Sequence, residues 1–127
     1  MEPPETETTA RPVLLIEDDA DTRELMRDLL AGAGHRVIAA DEGRKAIELA
    51  GATRPALVVL DLVTRGMSGW EFLERRVDEP ALSGVPVIVV TGSAEAPPGI
   101  AAVFRKPFDP RALLDAVRRL LRRTAGR

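Results

Sequence analysis

Hydrophobic positions along this chain alternate between two rhythms. Val13 to Ile16, Ala56 to Leu60 and Val85 to Val90 are short, nearly unbroken apolar runs. Runs of that length suit strands covered on both faces, as in a parallel sheet. Between them, apolar residues recur every three or four positions. Leu25, Met26, Leu29, Leu30 and Ala33 predict an amphipathic helix over 19–33 that ends at Gly32 and Gly34. Ala46, Ile47, Leu49 and Ala50 predict a second helix over 42–50, stopped by Gly51. A third helix is predicted over 70–77, with Trp70 packing on its face and Pro80 closing the region. Leu113, Leu114, Val117, Leu120 and Leu121 mark a last helix over 110–123. There Pro110 takes the first helical position and Asp109 caps it. Shorter strands are predicted at 36–40 and 103–105.

Strands alternating with helices imply right-handed crossovers and a doubly wound, flavodoxin-like parallel sheet of five strands. The order 2-1-3-4-5 is expected, with a switch point between strands one and three, beside which such sheets bind ligands at their carboxyl ends. The connection from Thr91 to Lys106 weakens the pattern, since Pro97, Pro98 and Gly99 cannot sit inside a regular helix. The helix between the fourth and fifth strands is therefore expected to be reduced or lost.

Four strand-like segments each end in a residue suited to a phosphoryl group: Glu17 with Asp18, Asp61, Thr91 and Lys106. A parallel sheet opens all four ends at one edge. Carboxylates crowded together raise one another's pKa unless a cation joins them, and magnesium prefers such oxygen ligands and completes its shell with water and phosphate. Asp61, alone at its strand end, is the candidate nucleophile. Lys106 can place a compact positive charge on one phosphoryl oxygen and Thr91 can donate a hydrogen bond to another. Lysine occurs only twice in the chain, at 45 and 106, against 16 arginines, so a compact ammonium stands at 106 against the compositional bias.

Composition narrows the chemistry. A chain of 127 residues, 45% hydrophobic and 30% charged, is the size and make-up of one globular domain. Zero cysteines and one histidine, His35, exclude disulfides, thiolate catalysis and a zinc cluster, so any metal is held by oxygen. No apolar run approaches the roughly 18 residues of a membrane span, and the acidic, proline-rich start MEPPETETTARP lacks the apolar core of a secretory signal. A cytoplasmic protein of bacterial type is expected, with no membrane partner. A net charge of −2 gives no general pull toward nucleic acid, and the arginines at 118–123 are read as the solvated face and dipole partners of the last helix. His35 is expected to be exposed, and Asp19 to be a helix-start residue.

VLLIEDD, LVVLDL followed by GMSGWEFL, VPVIVVTGS and RKPF, in that order, resemble the signature segments of the receiver domain of two-component response regulators. The resemblance covers residues 12–123, leaving 1–11 as an N-terminal tail and 124–127 as a C-terminal one. It implies an acidic pair at Glu17 and Asp18, a phosphoacceptor at Asp61, a switch hydroxyl at Thr91 and a phosphate-contacting lysine at Lys106. Magnesium would be held by Glu17, Asp18, Asp61 and the backbone carbonyl of Val63. The resemblance also implies a cis Lys106–Pro107 bond, a histidine kinase or histidine phosphotransfer protein as phosphodonor, and an unnamed downstream protein. Three features depart from the family pattern. The helix before the fifth strand is curtailed, which favours a monomer over a dimer. Val103 stands at a usually aromatic position, and Thr64-Arg65 and Ser68 alter the loop after Asp61. With apolar Val63 unable to orient a water, a long-lived phosphoaspartate is expected.

Two other functions fit less of the pattern. A phosphorylation-independent interaction module would keep the fold and lose the switch, as the reduced helix and Val103 suggest. A small aspartyl-phosphate phosphatase needs a second acid two residues after the nucleophile, where this chain has Val63. A dinucleotide-binding domain is weaker still, because EDDADT follows the first strand in place of a glycine-rich loop.

Overall fold

The computed structural model describes residues 11–63, 66–92 and 95–125, the side chains of 124 and 125 excepted. Residues 1–10 of the expected N-terminal tail, Thr64-Arg65, Ser93-Ala94 and the last two residues lie outside the described residues. Five strands, β1 (Val13–Ile16), β2 (Val37–Ala40), β3 (Leu57–Leu60), β4 (Val87–Thr91) and β5 (Ala102–Arg105), pair in parallel in the order β2-β1-β3-β4-β5. Four helices follow them, α1 (Ala20–Gly32), α2 (Gly43–Thr53), α3 (Gly69–Arg76) and α4 (Pro110–Ala125), with a 3-10 turn at Pro80–Leu82. Architecture and strand order are those expected from the apolar pattern.

The sheet is a wall between two cores because side chains alternate along each strand. Leu14, Ile16, Val58, Leu60, Val87 and Val89 face α2 and α3, meeting Ala46, Ala50, Phe72 and Leu73. Val13, Leu15, Leu57, Val59, Ile88 and Val90 face α1 and α4, meeting Met26, Leu30, Leu113 and Val117. Every residue of β1 and β3 is at most 1% exposed, and each buried leucine or valine contributes about 1.5–3 kcal/mol relative to exposure. This double burial fixes where the two strands end, and hence where Glu17 and Asp61 emerge.

Local signals start and stop the helices. The Asp19 carboxylate accepts from the Thr22 amide at 2.8 Å and caps α1, as its position predicted. Asp109 accepts from the Arg111 amide at 3.0 Å and caps α4 in the same way. Ser68 accepts from the Glu71 amide at 3.2 Å before α3.

Several expectations are corrected. Gly51 does not stop α2, which runs to Thr53 and ends at Arg54 in the left-handed region (φ 50°) just before Pro55. An exposed helical glycine costs only about 1 kcal/mol, whereas Pro55 bars its predecessor from helical geometry. Leu25 is 68% exposed and Ala33 is exposed, so the buried stripe of α1 is narrower than its periodicity implied. Trp70, expected to pack, is 39% exposed, whereas His35, expected to be free in solvent, is half-buried with its pKa lowered by burial and by Arg118. Helix α4 extends to Ala125 rather than stopping at 123.

No helix occurs among the described residues between β4 and β5. These residues make a turn at Pro98-Gly99, with Gly99 at φ 76°. A cleft of about 520 Å³ opens beside it at the starting ends of β4 and β5, lined among others by Arg76, Val77, Leu82, Pro86 and Ile100. Among the described residues no helix is long and apolar enough to cross a membrane.

Candidate functional site

The acids meet where β1 and β3 end side by side. Ile16 pairs with Leu60, and the Asp61 amide donates to the Ile16 carbonyl at 3.0 Å, so the residues following the two strands are held together. Carboxylate oxygens of Glu17, Asp18 and Asp61 lie within 4.8 Å of one another. Glu17 is 2% exposed and Asp61 8%, in a chain whose other acidic groups among the described residues are half-buried or exposed.

Lys106 closes the cluster from β5. Its Nζ lies 3.0 Å from Asp61 Oδ2 and 3.4 Å from Glu17 Oε1, while its backbone amide donates to the Thr91 carbonyl at 2.9 Å. The Lys106–Pro107 bond is cis. Thr91 is fully buried at the end of β4, one strand from Asp61. Val63 is 68% exposed, and its amide donates to Asp61 Oδ1 at 3.1 Å, so the loop after β3 grips the carboxylate it follows.

Charge and burial pull in opposite directions here. Burial raises the Glu17 pKa above its ordinary 4.5, and the charge of Asp61 raises it further, against the Asp19 amide and Lys106. Burial also disfavours the Lys106 ammonium, but its hydrogen bond to Asp61 and the charges of Glu17 and Asp61 outweigh that and raise its pKa above 10.5. One ammonium against three carboxylates leaves the cluster short of positive charge, and hard oxygen donors so arranged fit a magnesium ion.

Two residues outside the expected set shape the site. Arg23 Nη1 donates to the Glu17 carbonyl at 2.9 Å and the Asp18 carbonyl at 3.4 Å, binding α1 to the backbone of the acidic pair. Its signal was position, one turn into the helix that follows the acids. Glu42 Oε1 accepts from the Met67 amide at 3.0 Å, and no local spacing connects residues 25 apart. Two glycines suit the loop, Gly69 by its close approach to backbone and Gly66 by its positive φ. A Cβ on Gly69 would lie 2.5 Å from the Asp61 carbonyl oxygen, and one on Gly66, at φ 65°, would lie 2.7 Å from Glu42 Oε1.

The family model for the response regulator receiver domain matches residues 13–118, from the first residue of β1 into α4. The chain belongs to the response regulator receiver family. Among curated relatives of this receiver, protein Rrf1 of Nitratidesulfovibrio vulgaris is 36% identical over 112 residues, covering 86% of this chain and 81% of that one. The C4-dicarboxylate transport transcriptional regulatory protein DctD of Pseudomonas aeruginosa is 35% identical over 116 residues, covering 86% of this chain and 25% of that one. The receiver thus spans most of one relative and a quarter of the other. The fold also matches a solved receiver domain, that of sensor histidine kinase PA1611 from Pseudomonas aeruginosa. Its TM-score is 0.77 at 22% identity, covering 92% of this chain and 98% of that one, and it holds a magnesium ion in its active-site cleft. Receivers of two-component systems are signalling domains that interact with histidine kinases and phosphotransfer proteins, and phosphoryl-aspartate and magnesium are standard features of the family.

Proposed function

We propose that this receiver accepts a phosphoryl group on Asp61 from a histidine kinase or histidine phosphotransfer protein, in a magnesium-dependent reaction, and signals by changing its surface. The observation that carries this reading is the convergence of three carboxylates within 4.8 Å with one ammonium on Asp61 and Glu17. Glu17, Asp18, Asp61 and the Val63 carbonyl would hold the metal. When bound, magnesium supplies the missing positive charge and orients the phosphoryl oxygens.

The chain's own residues do the rest. An oxygen of ionised Asp61 attacks phosphorus, the phosphorus–nitrogen bond to the donor imidazole breaks, and that nitrogen takes back its electron pair and a proton from solvent. The Val63 amide on Oδ1 steers the carboxylate, and Lys106 neutralises charge on a phosphoryl oxygen. Thr91, buried at the adjacent strand end, turns its hydroxyl to another oxygen. That turn, with the movement of Lys106 off Glu17, shifts the population of surface conformations that a downstream protein reads. In this reading the chain is a phosphoacceptor rather than a turnover phosphatase, acts in the cytoplasm, and works as a monomer without nucleic acid.

Incubation with a small-molecule phosphodonor and magnesium, followed by intact mass, tests it. The wild type should gain one phosphoryl group, dependent on magnesium, and Asp61→Asn none. A gain that persists in the variant, or none in the wild type, overturns the reading. The absence of a helix among the described residues before β5, with Val103 on that strand, favours a second reading, a phosphorylation-independent interaction module. Beryllofluoride with magnesium separates the two, because only a working switch shifts the NMR signals of the Thr91 and Lys106 regions.

A further inference from the structure

We infer that Glu42 is a positioning residue for this site: it holds the loop between β3 and α3 in the shape that presents Asp61 and the Val63 backbone to the metal. The inference rests on the phosphoacceptor reading and adds a residue to it. The loop is tied at both ends, by the Val63 amide on Asp61 Oδ1 at 3.1 Å and by the Gly69 amide on the Leu62 carbonyl at 2.9 Å. Between those ties Met67 is held by the residues that open α2. Glu42 Oε1 takes the Met67 amide at 3.0 Å, and the Gly43 amide donates back to the Met67 carbonyl at 3.3 Å. Met67 itself is 4% exposed and packs in the core with Ala46 and Phe72. A Cβ on Gly66 would meet the Glu42 carboxylate where it sits on Met67, so a side chain there would have to displace it.

Side-chain length separates this role from ordinary helix capping. Glu42 also accepts from the Arg44 amide, at a longer 3.3 Å, as the cap of α2. Helix caps favour Asp, Asn, Ser and Thr, whose short side chains reach their own helix. Glutamate is a poor choice for that task alone, and its additional methylene is what carries the carboxylate across to Met67.

Glu42→Asp and Glu42→Gln therefore give opposite answers. Aspartate keeps the charge and improves the cap but falls short of Met67, whereas glutamine drops the charge and keeps an acceptor at the right reach. Magnesium affinity by titration calorimetry, Met67 amide hydrogen exchange without metal, and urea unfolding should be measured on the full chain. In Glu42→Asp, Met67 should exchange faster and the magnesium Kd should rise on the order of tenfold, as when outer-shell partners of metal ligands are removed. The unfolding midpoint should hold, and Glu42→Gln should bind close to wild type. Wild-type affinity in Glu42→Asp overturns the inference, as does an equal loss in Glu42→Gln, which would assign the effect to charge. A wild type that binds no magnesium overturns the phosphoacceptor reading and this inference together, while Met67 exchange still reports whether the contact exists.

Discussion

β1 and β3 differ from β5 in how they hold the groups they deliver. The first two are sealed on both faces by helices, with no residue more than 1% exposed, and they supply Glu17, Asp18 and Asp61. β5 is an edge strand whose residues are half-buried or exposed, the connection leading into it has no helix among the described residues, and it supplies Lys106. The carboxylates are thus fixed by packing, which is dense and resists displacement. The ammonium is fixed mainly by its ion pairs and its backbone bond to Thr91. Regions with few buried apolar contacts open at lower free energy than the core. The site joins a rigid anionic half to a looser cationic one, an arrangement suited to a group that must move when phosphate arrives.

Core truncation tests that contrast most severely. Leu60→Ala, at a fully buried β3 position, should lose about 2–5 kcal/mol of stability in urea unfolding, and Val103→Ala on β5 no more than about 1 kcal/mol. Equal losses would break the comparison.

A pH series sharpens it at the anionic half. Because the folded-state pKa of Glu17 is raised above 4.5, the folded chain binds more protons than the unfolded chain between 4.5 and that higher value. Stability without metal therefore falls as pH rises through that window. Glu17→Gln should remove the slope and unfold at higher urea than wild type above the window, with the order reversing in saturating magnesium. Lys106 gives a slope of the same sign at alkaline pH: its contribution is in place below 10.5 and fades as pH climbs through its raised folded value.

The smallest effect on stability is expected at the loop. Val63→Asn, at an exposed position, should change unfolding by no more than about 0.5 kcal/mol. It should nevertheless shorten the lifetime of the phosphorylated form, followed by intact mass after the donor is removed, because an amide can orient water where valine cannot. An unchanged lifetime would detach the loop's chemistry from residue 63.

What the sequence made legible follows the same division. Unbroken apolar runs at β1, β3 and β4 announced a covered parallel sheet, and the residue after each run marked the edge where the acids gather. The Asp19 and Asp109 caps were readable because capping is local. The run of α2 through Gly51 was hidden because tertiary packing and Pro55 outweighed one weak helix former. The exposure of Leu25 and the partial burial of His35 depend on how wide a stripe each helix buries, which periodicity does not fix. Glu42 and Arg23 stayed out of view because each acts on backbone carried by another element, a contact that leaves no spacing rule in the chain.

Gly69 and Val63 flank the same carboxylate under unlike constraints. A Cβ at 69 would strike backbone on both Asp61 and Leu62, atoms that cannot swing aside. A saturation library screened only for folding should return a single letter at 69 and nearly the full alphabet at 63. Diversity at the second position would narrow only once survivors were screened for how long their signal persists, so one neighbour of the acceptor answers to architecture and the other to timing.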